Sequence, residues 1–209
     1  MGVSERRQRE KANLQKKILN AARKIVVAEG FDALTIRRVA DAVEYAPGTL
    51  YLYFENRDAI ARELCLEVYR AMYDAISPLE KIKEPKKRLR IFIHKYVEFA
   101  LGNPEMYRLA LMSDPKFTDA LHSRPIEGED GPGQKAFVLL VKTITELRRQ
   151  ESESFALAEA VWVAVHGLVS IKIVCHVYPV TPVSVLADTL ADTLLLGILA
   201  GKTNIHNRR

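Results

Sequence analysis

Along almost the whole of this chain the apolar residues recur every third or fourth position, a spacing that admits helices and little else. Leu14, Ile18, Ala22, Ile25 and Val26 mark a first amphipathic helix, ended at Glu29-Gly30, where glycine takes a left-handed cap. Thr35 is a good N-cap for a short second helix whose stripe is Ile36, Val39, Ala40 and Val43. After a brief turn, Pro47 occupies a first-turn position and APGTLYLYF forms a third helix with Leu50 and Phe54 inward. Ile60, Leu64, Val68, Ala71, Ala75 and Leu79 keep step from about Arg57 to Ser77, and Pro78 ends that helix. Further helices are expected near 86–102, 104–112, 133–150, 153–177 and 182–200, with Gly128 to Gly133 as a loop. The β-branched run Val161 to Val165 suits a strand when taken alone, but Phe155 to Lys172 is longer than most strands. The expected fold is all-α: a three-helix domain over residues 1–56, joined through the long fourth helix to a bundle over 57–209.

Composition narrows the function classes. At 209 residues, 48% hydrophobic and 27% charged, the chain is long enough to bury a core and is not disordered. Cys65 and Cys175 stand in no metal or redox spacing, which favours a reducing compartment, and the N-terminus lacks the apolar core of a secretory signal. The cytoplasm is the expected location. The longest uncharged stretch, Ile173 to Ala187, contains Pro179 and Pro182 and falls short of the roughly 18 apolar residues of a spanning helix, so no membrane partner is expected. The net charge is 31 − 26 = +5. Arg6, Arg7, Arg9, Lys11, Lys16 and Lys17 outnumber Glu5 and Glu10 at the N-terminus, a tail suited to a polyanion; a solvated, frayed end is the plainer alternative.

A helix pair joined by a short turn holds its second helix proud of the surface, where it fits a DNA major groove. Pro47, Gly48, Thr49, Tyr51, Leu52 and Tyr53 are left around the outward arc. Gly48 allows close approach to the DNA backbone, while Thr49 offers a hydroxyl and a methyl. Tyr51 and Tyr53 place hydroxyls on rigid arms, although Tyr53 packing beside Phe54 in the core is an equal alternative. Arg37 or Arg38 on the second helix adds a phosphate or base contact.

LTIRRVADAVEYAPGTLYLYFENRDAI, within residues 8 to about 60, resembles the DNA-binding domain of the tetracycline-repressor (TetR) family of bacterial regulators. Cap, stripe, turn, Gly-Thr-Leu-Tyr and the following Asn-Arg come in that family's order. The helix AVWVAVHGLVSIKI is similar to the penultimate helix of one subgroup. The resemblance implies that Tyr51, Tyr53 and Arg57 bind phosphates and that Thr35 touches the DNA backbone as well as capping its helix. Two positions depart from the pattern. Glu44 stands where glycine is common, implying about 1 kcal/mol of strain or a reshaped turn. Ala46 replaces the usual serine cap, forfeiting a hydrogen bond worth about 1 kcal/mol.

The second half then has two tasks. Specific reading of a palindromic operator needs a symmetric dimer with half-sites about 34 Å apart. Leu186, Leu190, Leu194 and Ile198, at four-residue spacing and extended by Leu195, Leu196 and Leu199, are the expected homodimer surface, with a helix buried wholly within its own monomer as the alternative; the family's last two helices form such an interface. Family members commonly enclose a small ligand, which nominates Phe92, Tyr96, Phe99, Met106, Tyr107, Met112, Phe117, Phe137, Trp162 and His166, although for any one of them simple core is the plainer reading. Lys81 to Arg90 reads as a solvated helix start. No cofactor or metal is expected: His166 and Cys175 are nine residues apart, about 900° around a helix, and so lie on opposite sides. No catalytic signature is present either, so an enzyme is not expected. The favoured reading is a ligand-responsive dimeric repressor of double-stranded DNA. A DNA-binding adaptor or architectural protein without a sensor is the alternative.

Overall fold

The computed structural model describes residues 3–112, 131–148, 152–175 and 177–200, with side chains from residue 5. Within these, the regular structure is helical: α1 (Val3–Glu29), α2 (Ile36–Val43), α3 (Pro47–Leu50), α4 (Arg57–Ile76), α5 (Pro85–Gly102), α6 (Pro104–Leu111), α7 (Pro132–Arg148), α8 (Ser154–Val174) and α9 (Val183–Ala200). Two 3-10 turns, Phe31–Ala33 and Ser77–Lys81, punctuate the first half. Four helices begin on proline, at Pro47, Pro85, Pro104 and Pro132, where the missing N–H costs no intrahelical bond.

Contacts group the chain into two units: residues 1–68 with 105–124, and 69–104 with 125–209. In the first unit, α1 carries a buried row of Leu14, Ile18, Ala22 and Val26 that packs on α2, and α2 packs on α3. Gly30 ends α1 with the positive φ expected of glycine there, 83°, but with ψ 174° it is extended rather than left-handed helical. Thr35 caps α2, its hydroxyl oxygen accepting from the Arg38 backbone N–H at 3.2 Å. Ile60, Ala61 and Leu64 at the start of α4 are buried, and Arg23 of α1 pairs with Glu67. The first turns of α4 therefore group with α1 to α3, beyond the boundary expected after residue 56. The Asn56 side chain caps α4, accepting from the Ala59 N–H at 2.9 Å.

Several expectations are corrected. The basic N-terminus is helical from Val3 rather than a tail. APGTLYLYF is a helix only over Pro47–Leu50 and continues as turn, yet Leu50 and Phe54 are buried as expected. Along α4 the buried row continues through Met72 and Ile76, while Ala71 is exposed, because the larger side chains remove more apolar area from water.

In the second unit, α5, α7, α8 and α9 each pack against the other three as a four-helix bundle. The run Val161 to Val165 is helical, with Val161, Val165, Val169 and Ile173 turned inward. Lys81 to Arg90 is not simply a solvated helix start. Arg88 is buried, donating through Nε and Nη2 to the Ile82 carbonyl at 2.9 and 2.6 Å and through Nη1 to Glu146 at 2.9 Å. Those bonds satisfy most of a guanidinium that would otherwise be an expensive buried charge. Arg90 in turn pairs with Asp188 and Asp192 of α9, and His94 Nε2 lies 2.9 Å from Asp188.

Ile198 also differs from its expected place. It is buried within its own bundle, as are Ala187, Ala191 and Leu195, while Leu186, Leu190 and Leu194 are half-buried. Four-residue steps advance about 40° each around an α-helix, so a row starting at Leu186 has drifted about 120° by Ile198. Outward stand Val185, Leu196 and Leu199 on α9 and Val163, Ile171 and Val174 on α8. Both α8 and α9 are long and apolar enough by composition to cross a membrane, although the sequence reading found no such segment. Isolated charges such as Lys172, Asp188 and Asp192 interrupt the uncharged runs in these helices.

Candidate nucleic-acid interface

The turn between α2 and α3 decides how the short third helix is presented. Glu44 adopts φ 60°, ψ 41°, left-handed, and its N–H and that of Tyr45 return to carbonyls of α2. A glutamate does what glycine does at lower cost. Ala46 provides no side-chain cap, as its identity implies. Four residues of helix have little stability alone, so α3 is held by the buried Leu50 and Phe54 at its end.

That anchoring leaves Pro47, Gly48, Tyr51 and Leu52 exposed, Tyr51 by 58% and Leu52 by 77%, while Thr49 and Tyr53 are half-buried. Tyr53 thus lies between its two alternatives. A Cβ at Gly48 would meet nothing within 4 Å, so packing within the described residues does not require glycine there. On α2, Arg38 is held by Glu29 and the Ala33 carbonyl, and that pairing keeps the Glu29 carboxyl below its ordinary range. Arg37 is exposed and makes no ion pair among the described residues. The Arg57 guanidinium lies 5.0 Å from the Phe31 ring centroid and its Nε 3.5 Å from Asp58, so the group is positioned while its edges remain open.

An open groove of about 500 Å³ borders α3. One wall is the start of α1, with Arg7, Glu10, Lys11 and Leu14; the other is Tyr45, Leu52 and Tyr53. The charges of α1 are countable in the sequence, and so is the face they share. Arg7, Lys11, Leu14 and Ile18 fall within an arc of about 60°, a signal already present in their spacing. Tyr45 was not singled out, because nothing in its sequence position says that its ring stays 43% exposed.

The residues nominated for a ligand are distributed over both units. Phe92 and Tyr96 are buried and stacked at 6.4 Å in the second unit, with Phe99 half-buried on the same helix. Phe137 meets Phe155 edge-on at 5.4 Å. Trp162 stacks on His166 at 5.3 Å, and His166 Nε2 lies 3.1 Å from the Ser170 hydroxyl; burial lowers the imidazole pKa. Met106, Tyr107 and Met112 belong to the first unit, and Phe117 lies outside the described residues. Burial pushes the Cys65 thiol up to about 12, leaving it a core residue rather than a nucleophile. No group of three metal-ligating side chains occurs among the described residues.

Comparison with known proteins now bears on this geometry. Residues 18–64 match the family of bacterial regulatory proteins, tetR family, and residues 89–195 match the tetracyclin repressor-like C-terminal domain. The chain is 26% identical over 98 residues to YobS of Bacillus subtilis, an uncharacterized HTH-type transcriptional regulator, covering 47% of this chain and about half, 51%, of that protein. A Haemophilus influenzae regulator of the same type is 30% identical over 59 residues, 28% of this chain and 32% of its own length. Among solved structures, a Rhodococcus protein of unknown function superposes with a TM-score of 0.72 at 19% identity, covering 88% of this chain and 94% of that one. The Bacillus subtilis regulator FadR, solved with stearoyl-CoA, superposes with a TM-score of 0.68 at 16% identity over 87% and 98%. With a helix-turn-helix of this geometry in front of a matching helical C-terminal domain, the chain belongs to the TetR family of transcriptional regulators.

Proposed function

We propose that this regulator is a homodimeric repressor, acting in the cytoplasm, that holds a palindromic operator and releases it when a small, largely apolar molecule binds the bundle. The observation that carries the dimer is the apolar face of α8 and α9, where Val163, Val174 and Leu196 are 60, 63 and 71% exposed in the single chain. A face of this kind on a bundle helix calls for a partner, and a second copy placing two recognition elements on one duplex is the economical one. Thr35, Arg37, Pro47, Gly48, Thr49, Tyr51, Leu52, Tyr53 and Arg57 are the proposed DNA-contacting set. Tyr51 and Arg57 serve phosphates, and Gly48 and Thr49 approach the groove. Leu186, Leu190 and Leu194 contribute to the dimer from the flank, joined by the more exposed Leu196.

An apolar effector is supported by the stacked Phe92 and Tyr96 and by the fold shared with a protein solved with stearoyl-CoA. Selection of genomic fragments with the purified protein, followed by sedimentation of the complex, tests the reading. An inverted repeat occupied by one dimer is expected, and a single unrepeated site bound by a monomer refutes it. If an effector acts, ligand and DNA weaken each other by the same factor, about 5- to 150-fold. A compound screen in which nothing alters DNA affinity favours an adaptor without a sensor.

A further inference from the structure

We propose that the groove between the start of α1 and the two ends of α3 is a second DNA-backbone site, in which Arg7 and Lys11 grip phosphates beside the stretch read by the recognition element. The inference rests on the DNA-binding reading and extends it to residues outside the helix-turn-helix.

The face of α1 argues for it. Leu14 and Ile18 pack inward, and the same face continues toward the N-terminus as Lys11 and Arg7, turning from apolar to cationic where the protein's own core ends. A helix stripe that changes from leucine to arginine without changing direction is set to meet something anionic. The groove's one carboxylate is engaged: Glu10 Oε1 accepts from Arg6 Nε at 3.0 Å. Arg7 and Lys11 make no ion pair among the described residues, so the lining keeps its positive balance.

The opposite wall fixes the class of occupant. Tyr45 precedes α3, and Leu52 and Tyr53 follow it, so the groove lies against both ends of the recognition element. Phenol hydroxyls donate to phosphate oxygens, and the exposed Leu52 offers apolar surface to a sugar or a thymine methyl. The groove is open rather than enclosed, which suits a sugar–phosphate chain lying against it better than a small free anion. Because Arg7 and Lys11 stand on a formed helix, they act at fixed positions rather than as a loose tail.

The test uses the full-length protein and its selected operator. Arg7→Gln/Lys11→Gln is compared with the unaltered protein over a range of salt, on operator duplexes in which single phosphates flanking each half-site are replaced by neutral methylphosphonates. The double variant should bind about 10- to 100-fold more weakly, with a salt slope reduced by about 2 to 4. One or two flanking methylphosphonates should weaken the unaltered protein by a similar factor without weakening the variant further. Arg7→Lys/Lys11→Arg should keep the slope, and Tyr45→Phe should lose part of the affinity. Equal affinity and slope for the Gln variant, with thermal melting showing it folded, overturns the groove assignment alone. Failure of the unaltered protein to bind any duplex overturns the DNA-binding reading with it.

Discussion

Glu44 holds a left-handed backbone at φ 60°, where its Cβ crowds the following carbonyl and glycine is at ease. Glu44→Gly should therefore stabilise the protein by about 1 kcal/mol, seen as a higher urea midpoint with unchanged slope. It also removes a carboxylate beside α3, so DNA affinity should rise; a lower midpoint would show that Glu44 makes a compensating contact. Gly48 presents the reverse case. Its φ is not positive and a Cβ there has free space, so alanine is sterically allowed and a better helix former by up to about 1 kcal/mol. Gly48→Ala should keep or raise the melting temperature while weakening operator binding about tenfold or more, as close backbone approach to DNA demands. Unchanged binding would remove Gly48 from the interface.

Elements gain their roles from the faces they bury. On α8 one side is a row of inward valines, and Trp162, His166 and Ser170 follow at four-residue steps along its flank. Burial holds His166 below its ordinary 6.5, so the folded chain resists a proton that the unfolded chain accepts. The unfolded state thus binds more protons between 6.5 and the depressed folded value, and stability falls as pH descends through that window. His166→Gln should flatten the stability–pH curve as pH falls below 6.5, relative to the unaltered protein. Parallel curves in urea titrations at several pH values would show that this burial has no energetic weight. The third helix shows the other side of the same rule: reduced to Pro47–Leu50, it is defined by its anchors rather than by its length.

At the scale of the molecule, the proposed dimer assigns the two faces of α9 different tasks, folding inward and assembly outward. Leu196→Arg places a charge on the outward arc, so each chain should stay folded while the dimer dissociates, losing about 3–5 kcal/mol of association. Ile198→Arg places the same charge inside the bundle and should unfold it. Sedimentation with circular dichroism distinguishes the two. A Leu196→Arg protein that remains dimeric would move the interface elsewhere. DNA affinity should fall with dissociation, since each half-site then binds without its partner.

Most helices are legible from the chain because periodicity, proline and caps are local: Thr35, Gly30 and the four helix-initiating prolines act within a turn of themselves. The motif around Gly48-Thr49-Leu50-Tyr51 is legible for the same reason. What tertiary structure alone decided is which side of each helix faces what. Ile198 turned inward because the bundle's centre lies about 120° around from Leu186. Arg88 is buried because Glu146, from a distant part of the sequence, joins the nearby Ile82 carbonyl in satisfying it. Arg7 and Lys11 line one groove with Tyr45 and Tyr53 only once α1 has packed on α2. Local spacing fixes the phase of a helix with respect to itself, whereas burial and charge neutralisation depend on neighbours that long-range packing brings, and a single sequence does not state which neighbours those are.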